Sequence, residues 1–380
     1  MLKYNYTKTS KFRFYKTGIF PIHKHFLIFI IITFVIIFVY TCPSIYKSLC
    51  FYPLNTSKTC RYYVYNSTYP ITKPVKLSNG ISYKIAIISD LDQRSKHSQK
   101  SNLWYSIMKT GHLLWAPVSN TIIVTWNEEE IILSSSISMK GRGMEFSELV
   151  TFDGRLLTFD DRTGIVYSIE KDEIYPWVIL MDGNGKNTKG FKSEWATVKD
   201  DQLYIGSIGK EWTSSSGEWE HNNPLWIKII SPRGEVQSVN WMDNYKILRQ
   251  AINIDFPGYM IHESGIWSAV HKCWFFLPRK CSTHRYNETL DEIRSCNLLF
   301  RADENFSNIR VIQIGTVTPT KGFSSFKFLP GSNENIIISL KTEEYQNQMA
   351  TYMMGFTVDG DIIMPEQKIA LEKFEGFEFV

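Results

Sequence analysis

Between residues 147 and 375, an oxygen-bearing side chain stands five times just before a short run with the composition of a β-strand. Clear copies begin at Ser147, Glu194 and Ser324, where each run is followed by a polar turn and a second apolar run. A looser copy begins at Glu263, and half a copy begins at Glu375. Many short strands separated by turns predict an all-β sandwich, barrel or propeller.

The spacing of these copies favours the propeller. The leading residues are 47, 69, 61 and 51 positions apart, the size of a propeller blade with added loops. The half copy would form a bare sheet edge unless it pairs with strands predicted in residues 83–135, and that pairing closes the ring. We therefore predict that residues 81–380 form a five-bladed β-propeller whose N- and C-terminal strands share one blade. The alternative is a two-sheet sandwich in which the copies are generic hairpins.

The rest of the body agrees with an all-β fold. No part of residues 81–380 sustains a long helical periodicity, and an aromatic content of 14% suits packing on sheets. The clearest further strands are predicted at 83–89, 121–126, 165–169, 177–181, 225–230, 273–278 and 335–340.

The N-terminal residues have the pattern of a membrane anchor. Residues 1–25 contain six Lys and Arg and no acid, and residues 26–40 contain no charge. This apolar run is near the lower length limit for a span, and its basic flank keeps the N-terminal end in the cytosol. The sequence predicts a cytoplasmic tail (1–25), one transmembrane signal anchor (26–42) and a lumenal stem (43–80), as in a type II membrane protein. A cleaved signal peptide is the alternative.

The net charge of +4 comes from this tail, because the rest of the chain carries −2. A slightly acidic body gives no electrostatic reason to expect nucleic-acid binding. Sequons that suit a lumenal body occur at Asn55, Asn66, Asn287 and Asn305.

The six cysteines are consistent with an oxidising compartment. Cys281 and Cys296 flank a polar stretch between two apolar runs, which predicts a disulfide that closes this loop. A set of unpaired thiols is the alternative.

The five leading residues predict a metal site. The innermost strand of each blade begins at one rim of a propeller's channel, so the leading residues converge. Three carboxylates brought together repel one another and raise one another's pKa values unless a cation lies between them. Ligands that are all oxygen favour a hard ion, and a loose ring of them suits Ca²⁺. The predicted ligands are Ser147, Glu194, Glu263, Ser324 and Glu375, with the adjacent Glu148; in the alternative, each Glu only caps its own blade.

Further charged residues predict phosphate chemistry around that ion. Calcium with Arg and Lys would neutralise a phosphoryl group while a carboxylate orients water. Solvated turns are the alternative for any one of these residues. No pattern of a protein nucleophile is found, which favours direct attack by water. The predicted catalytic residues are Asp90, Asp92, Arg142, Asp160 and Arg162, and the predicted substrate-binding residues include Lys192 and Arg279.

At these residues the sequence resembles the calcium-activated nucleotidase (apyrase) family over about residues 81–380. The motifs that carry the resemblance are IAIISDLD (85–92), KGRGMEFSEL (140–149), DDRTGIVY (160–167), PWVILMDGNG (176–185), GFKSEW (190–195), GKEWT (209–213), PGYMIHES (257–264), WFFLPRK (274–280), GFSSFKF (322–328) and the terminal FEGFEFV. The resemblance implies a five-bladed propeller with calcium in its channel, and hydrolysis of nucleoside di- and triphosphates to monophosphates. It also implies that Trp195 lines the channel and binds substrate.

This chain departs from the family pattern at a few positions. Glu148 stands where an Asp is familiar, and Lys321 stands where a His is expected. Cys273 and the pair Cys281 and Cys296 are also unusual. These departures leave the predicted metal site intact but bear on loop rigidity and dimer contacts.

Together these features predict a type II membrane enzyme of the endoplasmic reticulum or Golgi lumen. It would hydrolyse UDP and GDP, and also triphosphates, with calcium, and so support protein glycosylation. The resemblance and the spare cysteines also suggest a homodimer. Two alternatives are a cell-surface or secreted apyrase acting on extracellular ADP and ATP, and a non-catalytic propeller that binds calcium.

Overall fold

The computed structural model describes residues 63–346 and 348–380, together with Thr33. The chain divides into two units, Met1–Tyr63 and Val64–Val380. The predicted tail, the sequon at Asn55 and, apart from Thr33, the predicted anchor lie outside the described residues. No helix within the described part of the chain is long and apolar enough to cross a bilayer.

Val64–Val380 is built almost entirely of short strands. In chain order these are β1 (Val75–Leu77), β2 (Gly80–Ser89), β3 (Trp104–Ala116), β4 (Thr121–Ser135), β5 (Phe146–Phe152), β6 (Arg155–Asp160), β7 (Ile165–Glu170), β8 (Glu173–Ile179), β9 (Trp195–Lys199), β10 (Gln202–Gly206), β11 (Trp212–Thr213), β12 (Trp219–His221), β13 (Trp226–Ile230), β14 (Val236–Asn240), β15 (Tyr259–Ser268), β16 (Cys273–Ser282), β17 (Leu298–Asp303), β18 (Ile309–Gln313), β19 (Lys321–Phe328), β20 (Ile336–Tyr345), β21 (Gln348–Thr357), β22 (Ile362–Ala370) and β23 (Phe374–Phe379). The described helices are α1 (Met242–Gln250), α2 (Glu288–Asp291) and the 3-10 turns Asp92–Ser95 and Asn223–Leu225.

Apart from the two-stranded sheet β11-β12, the described strands form five antiparallel sheets that are the blades of a propeller. Blade 1 has the order β23-β2-β3-β4, with β1 added to the start of β2. Blades 2 to 5 have the orders β5-β6-β7-β8, β9-β10-β13-β14, β15-β16-β17-β18 and β19-β20-β21-β22. The innermost strands β23, β5, β9, β15 and β19 contact one another in this order, and β19 contacts β23 again. The predicted all-β five-bladed ring is therefore confirmed.

The ring closes as the half copy predicted. Strand β23 pairs antiparallel with β2, from Ile85 opposite Phe379 to Ser89 opposite Phe374. The last strand is thereby covered on one edge by β2, which removes the bare edge that an unpaired terminal strand would expose.

The core consists of five large apolar clusters, one between each pair of neighbouring blades. Strand β2 illustrates why a strand packed between two blades has a continuously apolar sequence. Ile85 and Ile87 pack with β20 and β21 of blade 5, whereas Ala86 and Ile88 pack with β5 and β7 of blade 2. Alternate side chains of a strand point to opposite faces, and in a propeller both faces meet another blade.

The propeller begins within the predicted stem (43–80). The backbone N–H of Asn66 donates to Asp153 Oδ1 at 2.9 Å, and the hydroxyl of Tyr69 donates to Glu378 Oε1 at 2.8 Å. Strand β1 also lies in this range. The second unit starts at Val64, before the predicted boundary at residue 81, and a backbone N–H and a tyrosine hydroxyl between these positions have partners on blades 2 and 1.

Two local features differ from the sequence prediction. The apolar run 177–181 overlaps β8, but that strand begins at Glu173 and ends at Ile179. The helix α1 was not predicted, and it lies between β14 and β15. Its buried Tyr245 and Leu248 pack into the cluster between blades 3 and 4, so tertiary packing stabilises this short helix.

Candidate active site at the mouth of the central channel

The five predicted leading residues lie where the innermost strands are irregular or begin. A bulged residue loses its regular ladder partner, and its side chain leaves the regular alternation of the strand. The register shifts at Ser147 in β5, Glu263 in β15, Ser324 in β19 and Glu375 in β23, and Glu194 immediately precedes β9.

A cavity of about 290 Å³ is lined by residues of all five blades, three of the leading residues among them. Glu194, Glu263 and Glu375 lie on its wall, as the convergence of the blades predicts. The wall contains ten acidic and five basic residues. This excess of negative charge in a partly enclosed space favours a bound cation.

Each of the three glutamates is already paired with a basic residue. Glu194 Oε1 lies 2.5 Å from the ammonium nitrogen of Lys192. Arg279 contacts Glu263 and lies 2.8 Å from Glu375 Oε1. Burial raises the pKa of Glu194 to about 8, with Lys192 opposing and the carboxylate of Glu263 adding to the rise. The glutamates therefore repel one another, and a divalent cation between them would relieve that repulsion.

The side chains at the leading positions offer the donor type that a hard cation such as Ca²⁺ takes, although Ser147 and Ser324 do not lie on the cavity wall. The hydroxyl of Ser324 is fully buried and has no hydrogen-bond partner among the described residues. The hydroxyl of Ser147 donates to the carbonyl of Ser193 at 2.6 Å, which leaves its oxygen able to accept or to ligate. With the three glutamates, the available donors are all oxygen, the type that calcium prefers.

Glu148 lies apart from the cavity wall. Its Oε1 accepts hydrogen bonds from the Ser325 hydroxyl and the Leu149 N–H, both at 2.9 Å, and lies 3.1 Å from Lys327 Nζ. The side chain is therefore engaged with β19, and the structure does not bring it to the three glutamates on the wall. Its predicted role as a metal ligand stays a prediction.

Lys373 is the centre of the charge network on the other side of the cavity, and sequence reasoning missed it. Its Nζ lies 2.8 Å from Asp90 Oδ2, 3.1 Å from Asp92 Oδ2 and 2.9 Å from Glu344 Oε1. Burial raises the pKa of Asp90 to about 7 although Lys373 opposes the rise. The predicted pair Asp90 and Asp92 does line the cavity, and one lysine holds both carboxylates.

Blade 2 contributes Asp161 and Arg162 to the wall. Arg162 Nε lies 3.4 Å from Asp161 Oδ1, and Lys192 from the next blade also contacts Asp161. Asp161 therefore contacts both Arg162, a predicted catalytic residue, and Lys192, a predicted substrate-binding residue. Both cations remain partly exposed towards the cavity, as a phosphate site requires.

Glu145 is a second residue that sequence reasoning missed. Its carboxylate accepts from Arg142 at 2.7 and 2.5 Å and from Arg162 at 2.7 Å. Oxygen atoms of Asp90, Asp92 and Glu145 lie within 4.8 Å of one another, a grouping that could hold a metal ion. In this structure the neighbouring arginines and lysine balance that charge.

Two predicted site residues lie in the protein interior instead. Asp160 is fully buried, and its carboxylate accepts the backbone N–H groups of Met144 and Arg162 at 2.9 and 3.0 Å. Trp195 is fully buried between blades 3 and 4, where its indole N–H donates to the Tyr245 hydroxyl at 3.2 Å. Asp160 thus fixes the loops that carry Arg162, and the structure places Trp195 in the core, not on the cavity wall.

A loop closed by a disulfide forms one lip of the cavity. Cys281 and Cys296 are joined, with their Cα atoms 5.4 Å apart, and Cys273 is a buried free thiol. The loop contributes Glu288, Asp291 and Glu292 to the wall. Their charges make this lip acidic, so it repels a polyanion that approaches without a cation.

The sequons within the described residues are all exposed, at Asn66, Asn287 and Asn305. Asn287 also caps α2, where its side chain accepts the N–H of Leu290 at 3.1 Å. Whether any of them carries a glycan stays a prediction.

These features define the class of protein. It is a five-bladed β-propeller whose channel mouth gathers carboxylates, lysines and arginines from every blade. The family profile named Apyrase matches residues 91–380, and the chain belongs to the apyrase family.

Relatives from several animals support this membership. Soluble calcium-activated nucleotidase 1 of Rattus norvegicus is 48% identical over 316 residues, which cover 83% of this chain and 78% of the relative. An apyrase of Cimex lectularius is 47% identical over 317 residues, covering 83% and 87% of the two chains. Apyrase apy-1 of Caenorhabditis elegans is 39% identical over 301 residues, covering 78% and 84%.

Proposed function

We propose that this chain hydrolyses nucleoside diphosphates, mainly UDP and GDP, and also triphosphates, to a monophosphate and phosphate in a Ca²⁺-dependent reaction. The observation that carries the proposal is the cavity in which Glu194, Glu263 and Glu375 lie beside Arg279 and Lys373. A group of carboxylates that would bind a cation, next to fixed positive charge, suits a phosphoanhydride substrate. Hydrolysis of a phosphoanhydride needs neutralisation of the phosphate charge more than it needs a protein nucleophile. The names of the relatives, apyrase and calcium-activated nucleotidase, agree with this chemistry.

The three glutamates, with Ser147 and Ser324, are the residues that would hold the ion. When bound, calcium supplies positive charge that polarises a phosphoryl oxygen. The protein's part is to hold this oxygen ring open at the bulges of the innermost strands, next to a cavity large enough for phosphate groups.

The basic residues of the wall would bind the phosphates. Arg279 and Lys373 share the carboxylate of Glu344, and Arg162 and Lys192 share that of Asp161; all four line the cavity. Water attacks the terminal phosphorus, the anhydride P–O bond breaks, and its bridging oxygen stays with the nucleoside monophosphate. Asp90 is a carboxylate held at the wall by Lys373, where it can orient the water and accept its proton.

For the cellular setting, we keep the prediction of a type II membrane protein facing the endoplasmic reticulum or Golgi lumen. There, removal of UDP would relieve product inhibition of glycosyltransferases. The same chemistry at the cell surface would instead clear extracellular ADP and ATP, and labelling of intact cells separates these locations. Homodimer formation also stays a prediction.

Phosphate release tests the proposal directly. The purified chain is assayed with UDP, GDP, ADP and their triphosphates, first with calcium and then with a chelator. We expect release that requires calcium and is fastest with UDP and GDP. A matched Glu194→Gln variant, which keeps side-chain shape but lowers the charge of the ring, should need more calcium for the same rate. Absence of calcium-dependent release from every nucleotide would refute the proposal and favour a non-catalytic calcium-binding propeller.

A further inference from the structure

We infer that Glu344 is a positioning residue that fixes Arg279 and Lys373 for phosphate binding; this inference rests on the proposed function. Glu344 lies near the end of β20, the second strand of blade 5, and is not one of the repeated leading residues. Its Oε1 lies 2.9 Å from Lys373 Nζ, and its Oε2 lies 3.4 Å from an Arg279 Nη. One carboxylate therefore joins two cations that come from different blades.

The two cations need an anchor outside the metal ring. Arg279 also contacts Glu263 and Glu375, and Lys373 lies 3.5 Å from Glu375. Both glutamates are predicted ligands, and a carboxylate that ligates a cation is a poorer hydrogen-bond acceptor. Among the described residues, Glu344 is the one carboxylate outside the predicted ring that pairs with Arg279. Glu344 would keep the Arg279 guanidinium in place when Glu263 and Glu375 ligate the ion.

The charge state of Glu344 supports this role. Burial would raise its pKa, but the positive charges of Lys373 and Arg279 lower the pKa to about 2. The carboxylate is thus ionised throughout the neutral range and is too weak a base to take a proton from water efficiently. It is suited to orient cations, which requires a constant negative charge.

The adjacent Glu343 provides a matched control. It lies on the same strand but pairs with residues of its own blade, accepting the Tyr352 hydroxyl at 2.7 Å, and it does not line the cavity. Strand alternation sends neighbouring side chains to opposite faces. Glu343→Gln and Glu344→Gln therefore make the same chemical change on the same strand, and only one of them faces the cations.

The experiment compares these two variants with the wild-type chain, using UDP as substrate and calcium as the ion. We expect Glu344→Gln to lower kcat on the order of 10- to 100-fold, as for residues that orient reacting groups indirectly. KM should change little, because the loss of a negative charge strengthens the general attraction for phosphate while the less well-ordered cations bind it less well. The conservative Glu344→Asp should recover part of kcat, and Glu343→Gln should stay within about twofold of wild type.

Calcium binding gives a readout independent of turnover. Calorimetric titration with Ca²⁺ alone should give Glu344→Gln an affinity within about threefold of wild type, because the predicted ligands are untouched. If wild type is active but Glu344→Gln keeps its kcat, or if Glu343→Gln loses as much, the inference is wrong. A large loss of calcium affinity in Glu344→Gln would also overturn it, since Glu344 would then belong to the metal ring. An inactive wild type would refute the proposed function instead.

Discussion

Replacement of Lys373 by Met tests whether one lysine both stabilises the cavity and binds substrate. The substitution keeps an unbranched side chain of similar length but removes the ammonium group. That group lies within 2.8–3.1 Å of oxygen atoms of Asp90, Asp92 and Glu344. We expect the variant to lose both stability and activity, and a second substitution should separate the two effects.

The loss of stability follows from which carboxylate is left unpaired. Asp92 keeps Arg142 at 3.4 Å, and Glu344 keeps Arg279 at 3.4 Å. Asp90 forms no other ion pair within the described part of the chain. Breaking one buried pair lowers the free energy of unfolding by about 3–5 kcal/mol. At about 2 °C per kcal/mol for a unit of this size, Tm should fall by about 6–10 °C.

The double variant Lys373→Met with Asp90→Asn removes the carboxylate that was left without a partner. Its Tm in the presence of chelator should recover most of the loss. Its rate of phosphate release from UDP with calcium should stay on the order of 100- to 1,000-fold below wild type, because the positive charge and the carboxylate proposed to orient the water are both missing. Thermal unfolding and the phosphate assay measure the two effects on the same preparations.

Two results would refute this reasoning. If the double variant melts no higher than the single variant, Asp90 is not the group that destabilises it. If the double variant regains the wild-type rate, Lys373 does not stabilise the phosphate group during the reaction.

Two further predictions concern regions outside the cavity. Glu211→Gln breaks a buried two-point pair with Arg249, at 2.7 and 2.9 Å, and should lower the free energy of unfolding by about 3–5 kcal/mol at pH 7. Burial opposes the shift, but Arg249 lowers the pKa of Glu211, so the stability that the pair contributes is lost as the pH falls below the usual carboxyl pKa of about 4.3. Urea unfolding of wild type and variant measures this contribution. The same difference in the free energy of unfolding at pH 7 and below about pH 4.3 would contradict the prediction. The Asn66 Nδ2 atom, which would carry a glycan, lies so close to Gly154 that a methyl group on this glycine would be only 2.2 Å away. A glycan on Asn66 should therefore keep the segment 64–70 from packing on the propeller. Limited proteolysis should then cut the glycosylated chain in this segment faster than Asn66→Gln, and equal rates would contradict the prediction.

The blade repeat is the sequence signal that brings Glu194, Glu263 and Glu375 to one cavity wall. Two other predicted site residues differ in location from their immediate neighbours. Glu194 faces the cavity and Trp195 faces the core, and Asp161 faces the cavity while Asp160 is buried. Adjacent residues at a strand end point in opposite directions. A prediction that assigns every residue of a sequence motif to the site therefore places both neighbours on the same surface.

Lys373 is the basic residue of the cavity wall that sequence reasoning missed. Lys192 and Lys373 each lie two residues before a leading glutamate, just before an innermost strand begins. This repeated Lys-x-Glu pattern was available in the sequence for Lys373. Glu145 and Glu344 carry no such signal: Glu145 pairs with Arg142 and Arg162, and Glu344 pairs with Arg279 and Lys373 of other blades.

Closure of the ring and assembly of the site depend on the same pair of strands. The N–H of Asp90, just after β2, donates to the carbonyl of Lys373, just before β23, at 3.0 Å. This bond continues the ladder that pairs the first and last strands of the propeller. It brings the lysine ammonium to Asp90 and sets Glu375 at the rim beside Arg279. A chain whose last strand is not paired therefore lacks one predicted ligand and the central lysine together, so the complete site requires a closed ring.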